Sequence, residues 1–171
     1  ASLTWADGPV LPRPLLGQAA VISDRNLLVI GGWDGSQRRT EILRAQIQSD
    51  GSLNPWQSAG NNYPDPVVQA DAVVVNGRLY VIGGSNATSV LATVPYETIN
   101  TDGTLGQWNP GAALPQPLYR HAAAVFNDTI YVTGGSTSPT QASAAVYYSR
   151  VNANGTLTGW QTTASLPSAR F

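Results

Sequence analysis

The side chains in this 171-residue sequence that could carry acid–base or nucleophilic chemistry are few and scattered. There is one histidine, His121, and no cysteine, which excludes thiolate metal sites, disulfides and cysteine nucleophiles together. General acid–base catalysis needs two suitable groups converging on one pocket. Asp34, Asp65 and Asp71 are the candidate carboxylates, on loops or inner strands, and the sequence gives no pairing geometry for them. His121 follows Arg120 at the start of a strand, where it reads either as a catalytic imidazole or as a histidine hydrogen-bonded within a packed lining. No Ser/His/Asp order, phosphate loop or metal-ligand spacing is present, so no metal and no cofactor is expected.

Composition narrows the partners. Charged residues make up 11% of the chain and the formal net charge is −1, against roughly 25% charged residues in an average domain. All nine basic residues are arginine, and they form no run or patch. Nucleic acid is therefore not an expected partner, and no apolar run is long enough for membrane insertion. Three Asn-x-Thr sequons, at Asn86, Asn127 and Asn154, would matter only in a eukaryotic secretory pathway.

The elements that must position these residues recur along the chain. "SDGSLNPW", "TDGTLGQW" and "ANGTLTGW" end at Trp56, Trp108 and Trp160, 52 residues apart, and a shorter copy, "ASLTW", ends at Trp5. A diglycine recurs with them, at Gly31-Gly32, Gly83-Gly84 and Gly134-Gly135. Such a period marks a tandem array of one supersecondary unit. Within each unit, two short β-branched or aromatic runs flank a turn such as Asn127-Asp128 and predict a hairpin. A third strand and then the Asp-Gly turn follow, and the tryptophan sits on a fourth strand. No 3.6-residue apolar period survives the Gly and Pro punctuation. The expected fold is all-β: three four-stranded antiparallel units plus an extra outer strand. The first two strands of each unit are apolar on both faces, as in a sheet buried between two others.

"RHAAAVFNDTIYVTGG", followed by "GW" and then "LP", resembles the kelch repeat, with its diglycine ending the second strand and its tryptophan on the outer strand. The resemblance covers the whole chain in three copies. It implies blades of a β-propeller, divided into residues 1–14 (an outer strand and linker), 15–62, 63–114 and 115–171 (the third blade and the start of a next one). Leu28 stands where the other copies have Tyr80 and Tyr131. The copper oxidases and sialidases built on such propellers need residues or boxes this chain lacks, so the resemblance implies a noncatalytic binding or interaction module, extracellular or on the cell surface. A structural subunit of a surface layer or filament is the alternative, and the scaffold part of a propeller enzyme the third.

Loops after each diglycine and after each "LP" (Tyr63-Pro64 in the second copy) are expected on one face, where a rigid scaffold presents recognition residues. Candidate ligand-binding residues there are Arg13, Trp33, Asp34, Arg38, Arg39, Asp65, Gln69, Asn86, Tyr119, Arg120 and His121, facing a protein or carbohydrate ligand. Leu105 and Trp108 are expected to cover the edge of their blade and pack on the next. Both ends of the sequence fall inside a motif. That reads as a window from a longer array with further repeats, or as half of a six-bladed ring completed by a homodimer, a filament being the other outcome.

Overall fold

Residues 7–171 are described by the structure, a computed structural model; the expected strand at Trp5 lies outside the described residues. Blade 1 contains β1 (Ala19–Ser23), β2 (Asn26–Ile30), β3 (Ile42–Gln46) and β4 (Gln57–Ser58), in that spatial order. Blade 2 contains β5 (Asp71–Val75), β6 (Arg78–Ile82) and β7 (Tyr96–Thr98). Blade 3 contains β8 (Ala122–Phe126), β9 (Thr129–Thr133), β12 (Val146–Arg150) and β13 (Gln161–Thr162), with a small hairpin, β10 (Ser136–Ser138) and β11 (Gln141–Ala142), in the loop after its diglycine. All strand pairs are antiparallel. Left-handed residues at Asp24, Asn76, Gly77, Asn127 and Asp128 form the tight turns of the three inner hairpins, matching the twist of the strands they join.

The fourth strand of blade 2 is reduced to a single bridge between Tyr96 and Asn109. The cause is a pair of prolines. Where blade 1 pairs Leu43 with Ser58 and blade 3 pairs Tyr147 with Thr162, the repeat puts Pro95 and Pro110, and neither has an N–H to give to a ladder.

Stacking the blades buries two apolar layers. Between blades 1 and 2 lie Leu28, Ile30, Ile42, Leu79, Val81 and Leu105; between blades 2 and 3 lie Val73, Val75, Tyr80, Ile82, Ile130 and Val132. Leu79 and Val81 thus face one way and Tyr80 and Ile82 the other, which is the two-residue alternation of a strand buried on both faces. The arrangement is an arc of a β-propeller.

The diglycines join the blades. The second glycine of each donates its N–H to the segment leading into the next blade: Gly32 to Val67 O at 2.8 Å, Gly84 to Leu118 O at 2.8 Å and Gly135 to Arg170 O at 2.9 Å. The first glycine has φ of 62°, 53° and 66° in the three copies. A Cβ on Gly83 would stand 2.3 Å from the Leu118 carbonyl oxygen. Only glycine satisfies both the left-handed backbone and that close approach.

The tryptophans at 56, 108 and 160 tie the outer segments to the stretch of chain before them. Trp56 Nε1 donates to Pro9 O, Trp108 Nε1 to Asn62 O and Trp160 Nε1 to Ala112 O, at 2.9, 2.8 and 2.7 Å. The indole of Trp108 therefore reaches back to the end of the preceding blade, not forward to the next as the sequence suggests. The direction follows from Leu105, whose N–H donates to Ala59 O of blade 1 at 2.8 Å and lays the strand leading to Trp108 along that blade. Trp108 is only half-buried, edge-on to Tyr63 with ring centroids 5.1 Å apart.

Three substitutions test this account in urea unfolding. Gly83→Ala, which must move a backbone carbonyl in a strained conformation, is expected to cost about 2 to 3 kcal/mol. Gly35→Ala, with no atom near its Cβ position, should cost clearly less. Trp108→Ala should cost about 2 kcal/mol, below the value for a fully buried aromatic.

Candidate functional site

The segments after "LP" and after the diglycines do meet on one face. Leu16 bridges Trp33, Val68 bridges Ser85 and Tyr119 bridges Ser136. One residue beyond each of these, Gly17, Gln69 and Arg120 share a left-handed backbone, with φ of 66°, 57° and 57°. They form a ladder across the blades: Gln69 N–H donates to Gly17 O at 2.6 Å and Arg120 N–H to Gln69 O at 2.9 Å. The backbone conformation turns each chain into its inner strand, and the side chains of Gln69 and Arg120 are carried beside the ladder.

Around this ladder stand two guanidinium groups on aromatic rings. Arg38 lies over Trp33, 5.7 Å from the ring centroid, and Arg120 lies between Tyr119 and Phe171, at 5.1 and 5.5 Å. Among the described residues neither pairs with a carboxylate, and the Nε of Arg38 is buried with no partner. Leu16, Trp33, Arg38, Val68, Gln69 and Ser85 line a groove of about 180 Å³. Arg120, His121, Leu166, Arg170 and Phe171 help to line a second, of about 290 Å³. Phe171 and Arg170 did not stand out in the sequence. The signal for them is register: Phe171 is one repeat after Tyr119.

The other candidates are employed elsewhere. Asp34 Oδ1 accepts the N–H groups of Ser36 and Gln37, both at 2.8 Å, and Oδ2 pairs with Arg39. These bonds hold its carboxyl far below the ordinary range, the backbone donors counting most. Asn86 makes the same turn in blade 2, accepting from Thr88 and Ser89 N–H at 3.0 and 2.9 Å. Arg13 pairs with Glu41 in a separate cleft. Asp65 is exposed beside a cleft of about 340 Å³ that Tyr63, Trp108 and the prolines at 64, 95 and 110 enclose, where the fourth strand of blade 2 is broken.

His121 and Asp71 lie between blades 2 and 3. Asp71 Oδ2 accepts the N–H of Ala123 at 2.6 Å. His121 is 8% exposed, its ring is packed against Gly83, and neither ring nitrogen has a hydrogen-bond partner. Burial pushes its pKa down to about 4, against the opposing pull of the Asp71 charge.

A second buried titratable group has no sequence signal. Glu97, directly across the strands from Leu79, is fully buried, its carboxylate oxygens unpartnered. Burial alone pushes it up to about 8. Equivalent positions in the other blades hold Ala45 and Ser149. Glu97 shares the blade 2 face of Leu79, toward blade 1, whereas His121 lies at the blade 3 interface. The sheet therefore separates the two groups that could act as acid and base. Among the described residues no three His, Asp or Glu side chains are grouped to hold a metal.

Comparison with known proteins gives a consistent set of likenesses. Residues 66–94 match the model of the Kelch motif. The chain is 31% identical over 140 residues to human Kelch-like protein 33, covering 78% of this chain and 24% of that protein. It is 30% identical over 130 residues to the spermatocyte protein spe-26 of Caenorhabditis elegans, covering 73% and 22%. It is 27% identical over 139 residues to bovine Kelch domain-containing protein 10, covering 75% and 30%. The chain thus spans about a quarter of the length of the curated relatives it matches. Among solved structures, that of YjhT superposes with a TM-score of 0.76 at 16% identity, over 96% of this chain and 56% of that one.

The two buried groups set opposite pH dependences. Glu97, protonated more readily in the folded chain, supplies stability below its ordinary value of 4.5 that is lost as pH rises toward 8. His121, protonated less readily when folded, supplies stability above 6.5 that is lost as pH falls toward 4. Their slopes oppose each other between 4.5 and 6.5. Unfolding free energy should therefore be level there and fall from pH 6.5 to 8. In Glu97→Gln the fall above 6.5 should vanish, and the measurement is urea unfolding across that range.

Proposed function

The chain belongs to the kelch-repeat family, and on that premise we propose that it is a noncatalytic, extracellular interaction module that binds a carboxylate-bearing protein segment on the face around Gly17, Gln69 and Arg120. The observation that carries this reading is the pair of guanidinium groups, Arg38 on Trp33 and Arg120 between Tyr119 and Phe171, without carboxylate partners on that face. A guanidinium beside an aromatic ring with no acidic side chain paired to it retains charge and N–H donors suited to bonding a carboxylate. Rigid aromatic and arginine anchors are the residue types that dominate binding energy at protein interfaces. The separation of Glu97 from His121 supports a binding role over hydrolysis, and the lysine-free, weakly charged surface supports an extracellular setting.

A second reading, assembly into a ring or filament, is favoured by the end blades. Ile22 on blade 1 is 60% exposed and Phe126 on blade 3 is 66% exposed, while the equivalent strand of blade 2 is covered on both sides. Large exposed apolar side chains on a sheet face are characteristic of association surfaces.

The binding reading is tested with a fluorescein-labelled Glu-rich peptide in polarisation titrations. Arg38→Ala and Arg120→Ala should each weaken binding about tenfold or more, the scale of one charge-assisted bond. Added salt should weaken it as well. Equal affinity for a neutral Gln-rich peptide, or no effect of either substitution, would contradict it.

A further inference from the structure

The turns Asp102-Gly103 and Asn154-Gly155 lie over the middle strands of the blade before them. Gly103 is seated on Asn26, and Arg44 donates to the carbonyl of Asp102 in the same turn. Gly155 is seated on Arg78 and Tyr96; Tyr80, stacked on Tyr96 with centroids 5.3 Å apart, donates its hydroxyl to Gly155 O at 2.7 Å. A Cβ on Gly103 or Gly155 would stand 2.5 Å from those side chains.

Two halves of this contact lack their counterparts. On blade 3, Tyr131 and Tyr148 stack in the register of Tyr80 and Tyr96, with centroids 6.0 Å apart. Among the described residues no turn covers them and the Tyr131 hydroxyl has no partner. On blade 1, the turn Asp50-Gly51 is built like the other two, with Asp50 Oδ1 accepting from Ser52 N–H at 2.9 Å and Gly51 at φ 85°. Nothing lies within 4 Å of its Cβ position.

We infer that a second copy of this chain docks blade 1 on blade 3, its Gly51 turn seated over Tyr131 and Tyr148 and its Gly51 carbonyl accepting the Tyr131 hydroxyl. The inference rests on the assembly reading above and names its contact. The surrounding surfaces fit: Ala124 and Phe126 of one copy face Ala20 and Ile22 of the other, as Val73 and Val75 face Ala123 and Val125 within the chain. Neither outer face carries a charged residue on its inner strand, so docking strips no ion of water at the centre of the contact. Arg170 of one copy and Leu15 of the other hold the same register position against Gly135, so one of these segments is displaced in the pair. Made twice, the contact closes two three-blade arcs into a ring within the four to eight blades of natural propellers.

The test is sedimentation of the full chain with two substitutions. Gly51→Asn keeps a residue that tolerates the left-handed backbone and meets nothing in the free chain, but its side chain collides with the tyrosines once the turn is seated. Tyr131→Glu places a charge beneath the turn, on a side chain that solvent already reaches. The wild-type chain should sediment at twice its 18.0 kDa, and each variant should raise the dissociation constant at least about tenfold, with its melting curve at low concentration close to wild type. An equimolar mixture of the two variants should associate more tightly than either alone, since one of its two contacts carries neither change. A wild-type chain that stays monomeric at about 0.1 mM would overturn both the assembly reading and this contact. Association unaffected by either substitution, or a mixture no tighter than the single variants, would overturn the contact and leave assembly standing.

Discussion

The structure depends on one recurring hydrogen bond, from the second glycine of each diglycine to a carbonyl of the segment leading into the next blade. A blade taken alone is a small sheet with apolar residues on both faces, and it cannot exclude water from either. The diglycine bond fixes how far and at what angle the next sheet stands, and the first glycine lets the two backbones approach closely enough to form it. Burial of Leu79 and Val81 on one side of blade 2, and of Tyr80 and Ile82 on the other, follows from that spacing.

The inner hydrogen bonds and the outer ones divide the work. Near the ladder, backbone groups of Gly17, Gln69 and Arg120 link the blades and leave side chains available, so this face presents arginine and aromatic groups on a stiff frame. At the rim, Trp108, Trp160 and the turns Asp102-Gly103 and Asn154-Gly155 link the outer segments of blades 2 and 3 to the previous blade, and their polar groups are consumed in doing so. The same residue types therefore have different uses by position. Asp50 and Asp102 shape turns, Asp34 shapes a loop and pairs with Arg39, and Asp71 caps an N–H between blades.

Blade 2 shows what the array tolerates. It has the least regular sheet, because Pro95 and Pro110 interrupt its outer ladder, and it holds the buried carboxyl of Glu97 where its neighbours have Ala45 and Ser149. It is also the blade covered on both faces. Packing against two neighbours compensates for a lost ladder pair and an unpartnered polar group.

The sequence alone determined the period, the strand content, the hairpin turns and the place of the diglycine and the tryptophan in each unit. These are readable because each is local: a left-handed glycine, a tight turn or a two-residue alternation acts over a few residues and recurs at a fixed interval. The same regularity located the loop face, since "LP" and the diglycine hold a constant offset in every copy. Which loop residues remain available was not legible. Asp34 and Asn86 satisfy local backbone donors, and Arg38 and Arg120 find aromatic rings, one of them on Phe171, far along the chain. Nor could the sequence show the backward reach of Trp108, the broken strand of blade 2, or the burial of Glu97 on the face opposite His121. These depend on which blade stands beside which face, a matter of three-dimensional stacking, and side chains with the same local sequence are buried or exposed by that neighbour alone.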